Sequence, residues 1–201
     1  RYKAITAASG AADVRNLDID RAKALLAEAG VTAPVDVKFW YPTGNTRRQQ
    51  QLELIQKSAA LAGFNVVDTN EPNWEFTDPS LFPINPHDAV IFAWQSTSLA
   101  VSGSEQYFGS YTDPLEKAGN YSGYGNPAVD ALLDELKVTS DPTKQTEIMT
   151  EIEKTLISDA YGTTIFQFPA LTVASAKVSG VKPGPLSPGY FWNFWEWTPV
   201  S

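Results

Sequence analysis

Apolar residues change their spacing several times along the chain, and each change marks an element. Ala22, Leu25, Leu26 and Ala29 recur at helical intervals between Asp18 or Asp20 as a cap and Gly30 as a stop, which predicts an amphipathic helix over 18–30. Residues 35–42 then alternate, with Val35, Val37 and Phe39 set against Asp36, Lys38 and Trp40, the period of a strand. A long helix from about Thr46 to Ala62, ended by Gly63, leads into FNVVDTN at 64–70, a second strand. Strand, helix, strand predicts a βαβ unit with parallel pairing. The run DAVIFAWQ at 88–95 is nearly continuous in apolar residues, as suits a strand covered on both faces. Between them, 71–87 carries four prolines and reads as a connector.

Further along, Val129, Leu132, Leu133 and Leu136 form a stripe behind Asn126 as N-cap and Pro127 in the first turn. Asp141 and Pro142 repeat the device, with Ile148, Ile152 and Leu156 spaced by four, so the segment predicts a helical hairpin. A strand is expected over 164–169. Residues 1–16 are small and polar without a sustained period and read as an extended arm. The tail, 182–201, is rich in Pro and Gly and then aromatic, a loop feeding a final strand. Aromatics fall on both parities of YFWNFWEW, which favours a buried strand over a sugar-stacking surface. No internal repeat or long linker divides the chain, so 1–201 reads as one α/β domain.

The composition narrows the functional classes. With 201 residues and 43% apolar content the chain can bury a core. The net charge is −8 and Arg47 with Arg48 is the densest basic spot, which argues against nucleic acid as a partner. Cysteine is absent, removing disulfides, thiolate catalysis and cysteine-ligated metal, while leaving the redox compartment open. No run approaches the roughly 18 apolar residues of a membrane span.

Three motifs in order carry a resemblance: DIDRAKALLAEAG at 18–30, N-Y-x-x-Y-x-N-P-x-V-D-x-L-L from Asn120 to Leu133, and the Asp141-Pro142 helix with Ile152. Together with the strands between them, they resemble the peptide-type solute-binding proteins of ABC importers, although Ile19 stands where that family usually has proline. The resemblance implies a periplasmic-binding-protein-like (type II) α/β lobe, a mixed and mostly parallel sheet with helices on both faces. It also implies that Arg1 is an internal cut, and that this is the C-terminal lobe of a monomeric protein whose N-terminal lobe and lipid-anchored, extracytoplasmic start are missing. The implied partners are a peptide or oligosaccharide solute and an ABC permease, with no cofactor.

Trp94, Gln95, Ser96 and Thr97 lie at the carboxyl end of the expected central strand, where open α/β sheets bind ligands. The family often has Asp where this chain has Thr97, a carboxylate that would pair with a peptide's α-ammonium. That charge-assisted bond, about 1.5–3 kcal/mol, is missing here. Glu105 is the substitute carboxylate, or the ligand is neutral, such as an oligosaccharide. The loop 102–126 adds Tyr107, Tyr111, Asn120, Tyr121 and Tyr124, of which Tyr111 and Asn120 are candidates for ligand contact and Tyr121 and Tyr124 for packing. Trp94 has a bland alternative, closing the core.

Catalysis has little support. His87 is the single histidine, between Pro86 and Asp88 at a strand start. Asp130 with Asp134, and Glu147 with Glu151, have the spacing of solvated helix faces, and no nucleophile elbow, phosphate loop or metal-ligand spacing is present.

Overall fold

The computed structural model describes residues 2–41, 44–69, 87–94, 105–113, 119–166, 171–184, 189 and 191–200. The connector at 71–86, the end of the 88–95 run and residues 167–170 lie outside them. The chain divides into two compact units. One comprises Ala12–Ala93 with Gln106–Asp130, the other Arg1–Ala11, Trp94–Glu105 and Ala131–Ser201.

The first unit is built on α2 (Ile19–Glu28), β1 (Val35–Trp40), α3 (Thr46–Ala62), β2 (Phe64–Asp68) and β3 (Ala89–Val90). Asp18 caps α2 by accepting from the Arg21 backbone N–H at 2.8 Å, yet no residue of this helix is buried, and Leu25 is exposed. Asn45 caps α3 in the same way through the Arg48 N–H, and Gly63 ends it in the left-handed region at φ 98°. That glycine is required twice over. Besides the positive φ, an added Cβ would stand 2.9 Å from the Ala33 Cβ.

The three strands form a parallel sheet in the order β2-β1-β3. Val35, Val37 and Phe39 register with Phe64, Val66 and Asp68, while Phe39 and Trp40 register with Ala89 and Val90. The alternation in β1 therefore becomes a buried row. Phe39, Tyr41, Leu52, Val66 and Ile91 form the core, with Val37, Ile55, Ala59 and Ala89 packed against it. Leu52, Ile55 and Ala59 present one face of α3 to the sheet, and the Gln56 amide donates to the Val66 carbonyl at 2.9 Å. The expected strand over 88–95 is only two residues long. Pairing with β1 stops where β1 itself ends, and Ala93 and Trp94 are exposed instead of being covered on both faces.

The second unit contains α1 (Tyr2–Ser9), α6 (Pro142–Ser158), most of α5 (Pro127–Val138), β4 (Val178–Ser179) and β5 (Thr198–Pro199). The extended arm expected at 1–16 is helical over Tyr2–Ser9, because its alanine-rich sequence has high helix propensity and packs on α6. The hairpin forms as predicted. Leu133, Leu136, Ile148, Ile152 and Leu156 are buried, Asp141 caps α6 by accepting from two backbone N–H groups, and the Gln145 amide donates to the Thr139 carbonyl at 2.8 Å across the turn.

Residues 163–166 form no strand. Among the described tail residues Thr198–Pro199 forms the one strand, paired antiparallel with Val178–Ser179, and a 3-10 turn occupies Phe194–Glu196. The expectation that its aromatics are core is corrected too. Phe191, Trp192, Phe194 and Trp195 are all exposed, since a two-residue ribbon cannot cover both faces. The tail is instead held by Asn193, whose side-chain amide donates to the Gly180 carbonyl at 2.7 Å and accepts from the Trp197 indole at 3.1 Å.

Candidate solute-binding site

Parallel strands bring their carboxyl ends to one edge, and the loops leaving that edge hold the residues of interest. After β1 come Tyr41 and the Asn45-capped start of α3; after β3 come Ile91 and Phe92. The two meet through Arg48, whose guanidinium carbon lies 5.0 Å from the centre of the Phe92 ring. Phe92 in turn packs edge-on against Tyr121, centroids 5.6 Å apart. This joins the α3 start, the β3 end and the Tyr/Gly/Asn loop. Burial raises the phenol pKa of Tyr121.

The loop before α5 is organised by Asn120. It is 1% exposed. Its amide donates to the Gly109 and Tyr124 carbonyls, each at 2.8 Å, and its oxygen accepts from the Ser122 hydroxyl at 2.9 Å. Expected to contact ligand, Asn120 instead turns inward and closes its own loop. Gly125 allows the close pass of Ser110, whose Oγ lies 3.0 Å from where a Cβ would be. Tyr111 is half-buried with its hydroxyl toward Gly123, and burial raises its pKa as well.

Of the other expected site residues, Trp94 is 43% exposed, so the reading that it closes the core does not hold. Gln95, Ser96 and Thr97 lie outside the described residues. Glu105 is the first residue of the short helix α4, Glu105–Phe108. Tyr107 packs on Phe108 within that helix.

The helical carboxylates occupy solvated faces. Asp134, Glu147 and Glu151 pair with Lys137, Lys144 and Lys154 at i,i+3 spacing, and Asp130 accepts from the Ser110 N–H. Among the described residues no group of three His, Asp or Glu side chains could hold a metal, and no helix is long and apolar enough to cross a membrane.

Arg48 was not among the expected site residues. Its sequence signal is a cation in the first turn of a helix, directly behind a strand. Anions are favoured there.

No family model matches the chain. Among curated relatives it is 27% identical over 202 residues to an uncharacterized lipoprotein of Mycobacterium leprae, covering 98% of this chain and 36% of that protein. It is 24% identical over 195 residues to an uncharacterized lipoprotein of Mycobacterium tuberculosis, covering 96% and 34%. The chain thus spans about a third of the length of these relatives.

Among solved structures it is similar to NikZ from Campylobacter jejuni in complex with Ni(L-His), with TM-score 0.67 and 15% identity over 90% of this chain and 39% of that one. It is also similar to the oligopeptide-binding protein AppA from Bacillus subtilis in complex with a nonapeptide, with TM-score 0.64 and 20% identity over 90% and 37%. NikA from Staphylococcus aureus, in complex with Ni(L-His)2, matches 71% of this chain with TM-score 0.58 and 23% identity. The chain has the α/β fold of one part of the peptide- and nickel-type solute-binding proteins, the group that its sequence motifs resemble.

Proposed function

We propose that this chain is a solute-binding lobe of an ABC importer's extracytoplasmic receptor, which takes up peptide or a related oligomeric solute and delivers it to a membrane permease. The observation that carries the reading is the likeness, over 90% of the chain, to binding proteins solved with a nonapeptide and with a nickel–histidine complex. Lipoprotein relatives support an extracytoplasmic, lipid-anchored location. The mechanism is closure: a second lobe, supplied by the longer polypeptide, completes the cleft, and hinge motion buries the solute. An extended peptide would be held by main-chain hydrogen bonds.

Calorimetric titration of the longer polypeptide and of the 201-residue chain with di- to pentapeptides tests this. Saturable binding is expected for the longer form, with weak or no binding by the chain alone. Tight binding by the chain alone would overturn the two-lobe account.

A second reading, an oligosaccharide-binding protein, is favoured by one observation: the tail aromatics are exposed, and Trp192 and Trp195 stand edge to face with centroids 6.4 Å apart. Binding of cello- or xylo-oligomers with indifference to peptides would establish it instead.

A further inference from the structure

The tail of the second unit holds aromatic rings outward from a frame that is itself closed. Asn193 has no exposed surface and ties Gly180, Glu196 and Trp197 together, and the Trp192 indole N–H donates to the Lys182 carbonyl at 3.1 Å. Outside this frame stand Phe191, Phe194 and Trp195, which are 69%, 62% and 66% exposed. Trp195 touches both Trp192 and Phe194, with centroids 6.4 and 5.7 Å apart, so these rings make one patch. With roughly 150–250 Å² of surface per aromatic side chain, the patch is on the order of a few hundred Å², the size at which exposed apolar surface marks an interaction site.

Two features say what kind of surface covers it. Trp195 stands at 87° to Trp192 and 75° to Phe194, so the rings present edges and faces by turns, a relief that interdigitating side chains fill. Charge is also scarce. From 171 to 201 the charged side chains are Lys177, Lys182 and Glu196, and the last two pair with each other. Aromatics depleted of charge are the composition of a permanent interface core, whereas transient contacts are more polar. A covering surface of that kind is at hand, because the chain spans about a third of its relatives' length and about two-thirds of such a polypeptide is left to fold against it.

We infer that Phe191, Phe194 and Trp195 form an interface within the longer polypeptide, packing against the part that this chain does not span rather than against solute. Asn193 and the two indole N–H bonds set the tail in shape beforehand, so the rings lose little freedom when they are covered. The inference shares with the proposed function only the existence of the longer polypeptide.

The test uses that polypeptide, labelled with 5-fluorotryptophan, with the Trp195 fluorine signal assigned through Trp195→Phe. Broadening of the signal by the soluble nitroxide TEMPOL reports contact with solvent. It is read against the free labelled amino acid, over a range of protein concentrations, and with cello-oligomers added. Urea unfolding compares wild type with Trp195→Ser, in the longer polypeptide and in the 201-residue chain.

Broadening is expected to be several-fold smaller than for the free amino acid, independent of concentration and unchanged by sugar. Trp195→Ser should lower the urea midpoint of the longer polypeptide and leave that of the 201-residue chain nearly unchanged. A Trp195 signal broadened like the free amino acid would overturn the inference, and its movement with cello-oligomers would assign the rings to the oligosaccharide reading. Protection that grows only with protein concentration would mean that a second copy covers them, and would overturn it as well. If Trp195 is protected but no peptide binds, the interface stands and the solute reading falls; if peptides bind while Trp195 stays exposed, the reverse holds. Should Trp195→Ser or the shorter chain fail to fold, the wild-type fluorine signal decides by itself.

Discussion

Asn193 has no exposed surface, and its amide joins Gly180, Glu196, Trp197 and Lys182 in one small tail. These hydrogen bonds tie the tail together. Asn193→Ala removes the partner of the Gly180 carbonyl and the Trp197 indole and is expected to cost about 1 kcal/mol locally, read as a shift in the urea midpoint of tail tryptophan fluorescence. Trp195→Ser, at a 66% exposed position, should stay within about 0.5 kcal/mol. Gly180 belongs to the same unit: its φ is +84°, and a Cβ would collide with the Glu196 carbonyl, so Gly180→Ala should loosen the tail as Asn193→Ala does. At this scale the sequence was least legible. A polar residue in a Tyr/Gly loop has the same one-dimensional pattern whether it faces solute or, like Asn120, faces its own backbone. Arg48 escaped notice for the converse reason, because its burial depends on Phe92, 44 positions away.

Elements whose boundaries are set locally were legible. The caps at Asp18 and Asp141, the stop at Gly63 and the stripes of α5 and α6 all act within a few residues. The α1 helix was missed because α6 supplies the packing that its weak periodicity could not announce. The strands after residue 88 were overestimated, since apolar content alone cannot tell how far a partner strand extends. Ile152, with no exposed surface in the middle of α6, gives the sharpest test of the hairpin. Ile152→Ala should cost about 2–5 kcal/mol in chemical denaturation. Gly63→Ala should cost about 1 kcal/mol or more, because both the left-handed φ and the Ala33 contact oppose a side chain.

Across the whole molecule, the fold class was legible because a βαβ unit and a capped helical hairpin admit few arrangements. Acid response joins the molecular charge to one local contact. Lys182 first, and Asn193 second, hold the Glu196 carboxyl below its ordinary value of 4.5. A depressed carboxyl stabilises the fold above its unfolded pKa, and that contribution is lost as pH falls through the lower folded value. The chain's net charge vanishes near its pI of about 4.6, just above this range. Tail tryptophan fluorescence should therefore be steady from neutral pH down to 4.5 and change below it, while Glu196→Gln should flatten that acid limb. Solubility should be lowest near the pI.

The amide of Asn120 carries a consequence for the ageing of the protein. Conversion of that amide to a carboxylate would put an acceptor where two carbonyls now receive N–H donors, replacing attraction with repulsion. Asparagine is among the thermolabile residues, so slow chemical conversion at this one position would open the Tyr/Gly loop from within. A stored sample would then lose the order of this loop while its helices and sheet stayed folded.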